Sequence, residues 1–201
     1  MSAPRVPYEA SDVKEPDIAN AQMQLGDSAQ GGAGVENTEA LVNTVHCVGV
    51  MGEGLTLQFK QAFPANFKAH ETACRAREVV PGRMLTFDND GRIKPRCIIN
   101  FSTKRHWRHK SRIEDIQSGL RALIGDVCRL GIHSIAVPPL GCGLGGLNWS
   151  DVRPMIEKSF SELPGVRVLL FQPFGSFGTA ADRDILLAFA LRRGRLPSRL
   201  P

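Results

Sequence analysis

The amino-acid sequence predicts an α/β fold with a mixed, mostly parallel sheet and helices on both faces, and two observations carry that prediction. Short apolar, β-branched runs alternate with longer stretches whose apolar residues recur at helical spacing. Connections of that length return the chain to the same edge of a parallel sheet through a helix. Glycine-rich segments also follow several of the apolar runs, where open α/β sheets build their ligand crevice.

Taken in order, Ala40–Val45 is apolar and β-branched and reads as a buried strand. Gly54–Phe63 carries Leu55, Leu57, Phe59 and Phe63 at mixed helical spacing, Pro64 ends or restarts the helix, and Phe67–Arg77 continues helically. Arg83–Phe87 and Arg96–Phe101 flank the turn residues Asp88-Asn89-Asp90-Gly91 and read as a strand pair. Ser111, with Glu114 three residues on, predicts a capping box for a long helix with Ile113, Ile116, Leu120, Leu123, Ile124 and Val127 on one face. Gly131 stops that helix. His133–Val137 is the next strand, Ser150 opens a helix carrying Val152, Met155, Ile156 and Phe160, and Val166–Phe171 is the last clear strand. Asp182–Arg193 reads as a short terminal helix.

Residues 1–21 are polar, proline-bearing and aperiodic, so a disordered leader is expected before a domain spanning 22–174 and a tail over 175–201. Hydrophobic content of 42% beside 22% charged residues supports one packed core in 201 residues. The start lacks the basic and apolar regions of a signal peptide, and no apolar run is long enough to span a bilayer, so a cytoplasmic protein is expected. Five singly scattered cysteines offer neither a disulfide framework nor zinc-ligand spacing, and most are expected to be small buried hydrophobes. No metal site or cofactor is expected. The net charge of +5 suits a polyanionic partner, and cations cluster in Lys104-Arg105-His106-Trp107-Arg108-His109-Lys110. The C-terminal Arg192, Arg193, Arg195 and Arg199 read as a solvated tail.

Three segments fall at strand ends: Val42–Gly54, Asn100–Trp107 and Val137–Gly146. Glycines in the first and third let successive backbone N–H groups face one concavity without a side chain between them and an anion. Together they suit a diphosphate gripped from two sides, with helix N-termini adding partial positive charge. Neither matches a phosphate-binding P-loop or a dinucleotide fingerprint. Lys104 closes a buried strand, so its amine is placed at the rim of the crevice, where desolvation would lower its pKa and suit a nucleophile or base; a surface lysine that contacts phosphate or nothing is the other reading of the spacing. Trp107 among cations suits base stacking with phosphate screening, or equally an aromatic that covers the following helix.

Read together, ALVNTVHCVGVMGEG, LQFKQAFPANFKA, INFSTKRHWR and AVPPLGCGLGGLNW resemble the macrodomain of the DNA ADP-ribosyl glycohydrolase antitoxins, the DarG family, related to the terminal ADP-ribose protein glycohydrolases. The resemblance runs from about Glu39 to Phe171. It implies a macrodomain-like three-layer sandwich that binds ADP-ribose and hydrolyses it from thymidine in single-stranded DNA. It makes Lys104 the catalytic nucleophile and puts Thr44, Val45, His46, Leu55, Thr56, Leu57 and Gln58 on the ribose and diphosphate side. Thr103 neighbours the lysine, Gly141, Cys142, Gly143, Leu144 and Gly145 wrap the diphosphate, and Asp27 contacts adenine. Arg105 and Trp107 are the nucleic-acid contacts, and the partners implied are ADP-ribosylated DNA and a cognate DNA ADP-ribosyltransferase toxin.

Two departures stand out. The family usually carries Asn where this chain has His46, and Gly145 stands where the protein-directed relatives carry Asp. Two other readings therefore remain: an ADP-ribose-binding module without turnover, and a hydrolase of other ADP-ribose derivatives.

Overall fold

A computed structural model describes residues 23–25, 38–89 and 95–173. Asp27, the leader, residues 90–94 and the Asp182–Arg193 segment lie outside the described residues.

The elements are β1 (Met23–Leu25), β2 (Ala40–His46), α1 (Gly54–Ala62), α2 (Pro64–Arg75), β3 (Leu85–Asp88), β4 (Cys97–Lys104), α3 (Ile113–Arg129), β5 (Ser134–Val137), α4 (Trp149–Ser161) and β6 (Arg167–Leu170). They form one sheet in the order β1-β6-β5-β2-β4-β3. Every pairing is parallel except β3 with β4, the expected strand pair. Pro64 restarts the helical path: it occupies the first turn of α2, where the missing N–H costs nothing.

Side-chain alternation divides the core into two layers. Ile99 and Phe101 of β4 face α3 and α4, packing with Ile116, Leu123, Ile156 and Phe160. Leu41 of β2 and Ile98 of β4 face the other way, onto Phe59 and Phe63 at α1. Helices therefore cover both faces, giving the three-layer sandwich.

Two local expectations need correction. Ser111 does not cap α3: Arg112 holds the N-cap position, and no side chain caps the helix. The cause is a tertiary bond, because the Ser111 N–H donates to the Gly145 carbonyl at 3.0 Å and draws Ser111 onto the glycine loop instead. Nor are most cysteines fully buried. Cys97 is, whereas Cys47, Cys74 and Cys142 are half-buried and Cys128 is exposed, all as free thiols. Burial still raises Cys74, Cys97 and Cys142 to about 11, far from thiolate chemistry at neutral pH.

The close packing of α3 on β4 depends on Gly119. A Cβ there would run into the Phe101 ring, and Phe101 has no exposed surface into which to retreat. Gly119→Ala is therefore expected to destabilise the fold by about 1–3 kcal/mol in denaturant unfolding, despite alanine's better helix propensity. The same substitution in a Phe101→Leu background should cost less, and equal costs would show that the ring is not the obstacle.

Candidate functional site

The carboxyl ends of β2, β4, β5 and β6 open into a crevice of about 660 Å³. Its floor and walls come from different elements, and each delivers one kind of group.

β2 and β4 supply the basic pair. Their register runs in step from Ala40↔Cys97 to Val45↔Ser102, then slips at Val45/His46 so that His46 stands opposite Lys104. A bulge at the end of a strand re-aims the side chain beyond it. His46 Nδ1 accepts a hydrogen bond from the Val48 N–H at 3.3 Å, which leaves the ring proton on Nε2. Burial, then the charges of Lys104 and His106, holds His46 below the ordinary histidine range. Lys104 is shifted the same way by burial and by Lys110, with Glu53 opposing, so its amine loses its proton more readily than a surface lysine. Its Nζ donates to the Leu144 carbonyl at 2.7 Å, across to the opposite wall.

That wall is the glycine loop. Gly141 has φ +74° and Gly146 φ +76°, and bonds from Cys142 N–H to the Pro139 carbonyl, Gly146 N–H to Gly143 and Leu147 N–H to Gly141 fold it into a tight turn. The N–H groups of Gly143, Leu144 and Gly145 have no partner among the described residues, the condition for a backbone anion cradle. Gly145 tolerates no side chain, since a Cβ would meet the Gly141 carbonyl and Ser111 Oγ. Facing this loop, α1 begins at Gly54 without a side-chain cap, and Gly52, Glu53 and Gly54 border the crevice.

Of the residues singled out from sequence, Thr44, Val45, His46, Leu55, Thr56, Gln58, Thr103, Lys104, Gly141, Gly143, Leu144 and Gly145 line this crevice, and Trp107 joins them. Three do not. Leu57 lies about 200° round α1 from both Leu55 and Phe59, which do. Cys142 turns into the α3/α4 core, with Sγ toward the Leu140 carbonyl. Arg105 points to a separate small pocket, where it meets Asp115 through Nε at 3.2 Å and Nη2 at 3.0 Å. Trp107 is half exposed, stacked with His106 at 5.5 Å and carrying the Arg108 guanidinium 4.6 Å from its ring centre.

Sequence reasoning missed Phe171, Gln172 and Pro173, which close the crevice beyond β6. The rule that strand ends make ligand sites applied to β6 as well and pointed there. Among the described residues, no group of His, Cys, Asp and Glu is arranged to hold a metal ion.

Beneath His46 lies His70 of α2, fully buried and 3.5 Å from Cys74 Sγ through Nε2. Burial, with His46 adding repulsion, lowers it to about 4.

A family model described as Macro domain matches residues 42–156. The chain is 49% identical over 139 residues to a DNA ADP-ribosyl glycohydrolase of Mycobacterium tuberculosis, covering 69% of this chain and 40% of that protein. It thus spans about two-fifths of the length of the curated relatives it matches. Among solved structures, the macrodomain of Mycobacterium tuberculosis DarG aligns with a TM-score of 0.71 at 43% identity, over 77% of this chain and all of that one. Thermosipho africanus DarTG in complex with ADP-ribose aligns at 0.67 and 30% identity, over 89% of this chain and 48% of that one.

The depressed His70 makes stability pH-dependent. An unfolded histidine takes up its proton near pH 6.5 and the folded one near 4, so stability is fully present above 6.5 and falls as pH drops between the two. Denaturant unfolding is expected to show about 2 kcal/mol lost through this group between pH 7 and pH 5. His70→Gln should flatten that part of the pH dependence; an unchanged slope would assign it elsewhere.

Proposed function

The chain belongs to the macrodomain family, and on that premise we propose that it binds ADP-ribose in the strand-end crevice and hydrolyses it from thymidine in single-stranded DNA. The observation that carries the reading is Lys104: a lysine of lowered pKa in the crevice wall, opposite His46 and bonded to the glycine loop. In this reading the cradle at Gly143–Gly145 and the start of α1 receive the diphosphate, and the distal ribose lies over Thr44–His46 and Thr103. Leu55, Thr56 and Gln58 border the same side.

The neutral Lys104 amine attacks the anomeric carbon of the distal ribose. The bond to the thymine nitrogen breaks with its electron pair, and the departing base takes a proton as the new secondary ammonium loses one. Water then displaces the lysine, giving free ADP-ribose and restoring the amine. Covalent catalysis of this kind divides one hard displacement into two easier ones. No resident cofactor is needed. Trp107, beside Lys104 in the wall and half exposed, is positioned for the DNA base, and Arg105 for the strand.

The relatives' names support the substrate class: the Mycobacterium tuberculosis protein is called a DNA ADP-ribosyl glycohydrolase, and the Thermosipho structure holds ADP-ribose. The partner in this reading is a DNA ADP-ribosyltransferase whose modification the chain reverses, inside the cytoplasm. No helix among the described residues is long and apolar enough to cross a membrane.

One observation favours a second reading. His46 stands opposite the nucleophile where the family carries Asn, so a bulkier ring replaces the amide at the distal ribose. In that reading the chain recognises ADP-ribose without turning it over.

Lys104→Ala is expected to cut release of ADP-ribose from an ADP-ribosylated thymidine oligonucleotide by about a thousandfold or more while calorimetric binding of ADP-ribose survives. Unchanged release would remove Lys104 from the chemistry. If the natural chain binds but does not turn over and His46→Asn restores release, the recognition-module reading holds instead.

A further inference from the structure

Beside the crevice, and separated from it by the glycine loop, lies a second pocket of about 240 Å³ lined by Arg105, His109, Lys110, Ser111, Arg112 and Asp115. It has no place in the reaction above. Three permanent cations face a single carboxylate, and that carboxylate is already held by Arg105 through two bonds. The pocket is therefore electropositive after its internal pairing is satisfied.

Two further features point to an oxyanion. α3 is a 17-residue helix that begins at Ile113, directly after the pocket residues, and no side chain caps its first turn. Its leading N–H groups and the positive end of its dipole lie at the pocket, where the first-turn carboxylates Glu114 and Asp115 offset part of the dipole and Asp115 is held by Arg105. Independently, Ser111 lines the pocket, is 7% exposed, and its Oγ has no hydrogen-bond partner among the described residues. A buried hydroxyl without a partner carries a desolvation cost that a structural serine would avoid. Its backbone N–H is fixed to the Gly145 carbonyl and its Oγ lies against Gly141 and Gly145, at the boundary between the pocket and the glycine loop.

The geometry points to a second anion site, in which a backbone phosphodiester of the nucleic-acid strand is held by Arg112, Lys110 and the Ser111 hydroxyl at the start of α3. The strand is the favoured occupant because of the order of groups along the chain. Lys104 and Trp107 line the crevice, while Arg105 and then His109–Arg112 line this pocket, so one short segment joins the two. Lys110 also packs against Gly146, at the back of the loop, with Nζ 3.0 Å from the position of a Cβ there. A strand whose modified base sits at Lys104 and Trp107 has its neighbouring phosphate carried over this segment. The inference rests on the nucleic-acid reading above for its ligand, but not on turnover.

The test measures binding of the full chain to a labelled, unmodified oligothymidylate of about twelve nucleotides across a salt series. The probe carries no ADP-ribose, so failure of the glycohydrolase reaction and failure of this site are told apart. Arg112→Ala is expected to reduce the steepness of log Kd against log salt by about 0.7, the contribution of one single-strand phosphate contact. Arg129→Ala removes an equal charge at the far end of α3, where the guanidinium pairs with Asp126 at 2.8 Å, and should leave the slope unchanged. Ser111→Ala should weaken binding about tenfold, with Tm equal to or above that of the natural chain because an unpartnered buried hydroxyl has been removed. ADP-ribose affinity should be unaffected in all three. The site is overturned if Arg112→Ala behaves like Arg129→Ala, or if Ser111→Ala lowers Tm and leaves binding intact. Inorganic phosphate that binds through Ser111 and Arg112 in a chain without affinity for the oligonucleotide would likewise overturn the strand as occupant.

Discussion

Three buried asparagines hold the middle of this molecule in register. Asn43 of β2 donates to Asn100 of β4 at 3.0 Å, and Asn100 donates to Asn66 of α2 at 2.7 Å and to the Leu85 carbonyl of β3 at 3.1 Å. None of the three has exposed surface. Amides taken out of water must find partners or cost the fold dearly, so this cluster fixes how two strands and a helix meet far more sharply than apolar contacts would. A one-residue slip of β2 against β4 would turn Asn43 to the opposite face and strand both amides. His46, Thr103 and Lys104 lie a few residues further along the same strands. The slip that is permitted occurs beyond the cluster, at Val45/His46, and it creates the His46–Lys104 pairing.

The crevice concentrates a single electrostatic theme. His46 and Lys104 are pushed the same way, each by burial first and by neighbouring positive groups second. Lys104 opposes the protonation of His46 and Lys110 that of Lys104, so the positive charges crowded at this wall favour neutral nitrogens. The opposite wall carries the Gly143, Leu144 and Gly145 N–H groups, which have no partner among the described residues. A ligand that brings negative charge to that wall and an electrophilic carbon to the amine satisfies both sides, as an ADP-ribosyl group does.

Much of this was legible from the sequence. Periodicity located the helices to within a few residues, and the strand-end rule located the crevice, because both depend on local spacing. The failures share one physical origin, a long-range contact with no local signature. The Ser111 and Glu114 pair has the spacing of a capping box, yet a bond to Gly145 decides where Ser111 goes. Cys142 shares the glycine loop but turns into the core, because the turn that points its neighbours outward points it in. The asparagine cluster joins residues 57 and 34 positions apart, and nothing near any one of them announces the others. The role given to Asp27 and the terminal helix over Asp182–Arg193 fall outside the described residues.

The bond from Lys104 Nζ to the Leu144 carbonyl ties the amine to the tip of the glycine loop proposed to receive the diphosphate, and Leu144 is 67% exposed there. One lone pair thereby joins two tasks usually assigned to separate parts of a site. A loop drawn inward around a charged guest takes its carbonyl with it, and the amine must follow or be released. In the proposed reaction, the position of the attacking amine and the position of the loop that receives the diphosphate are therefore set by one shared hydrogen bond.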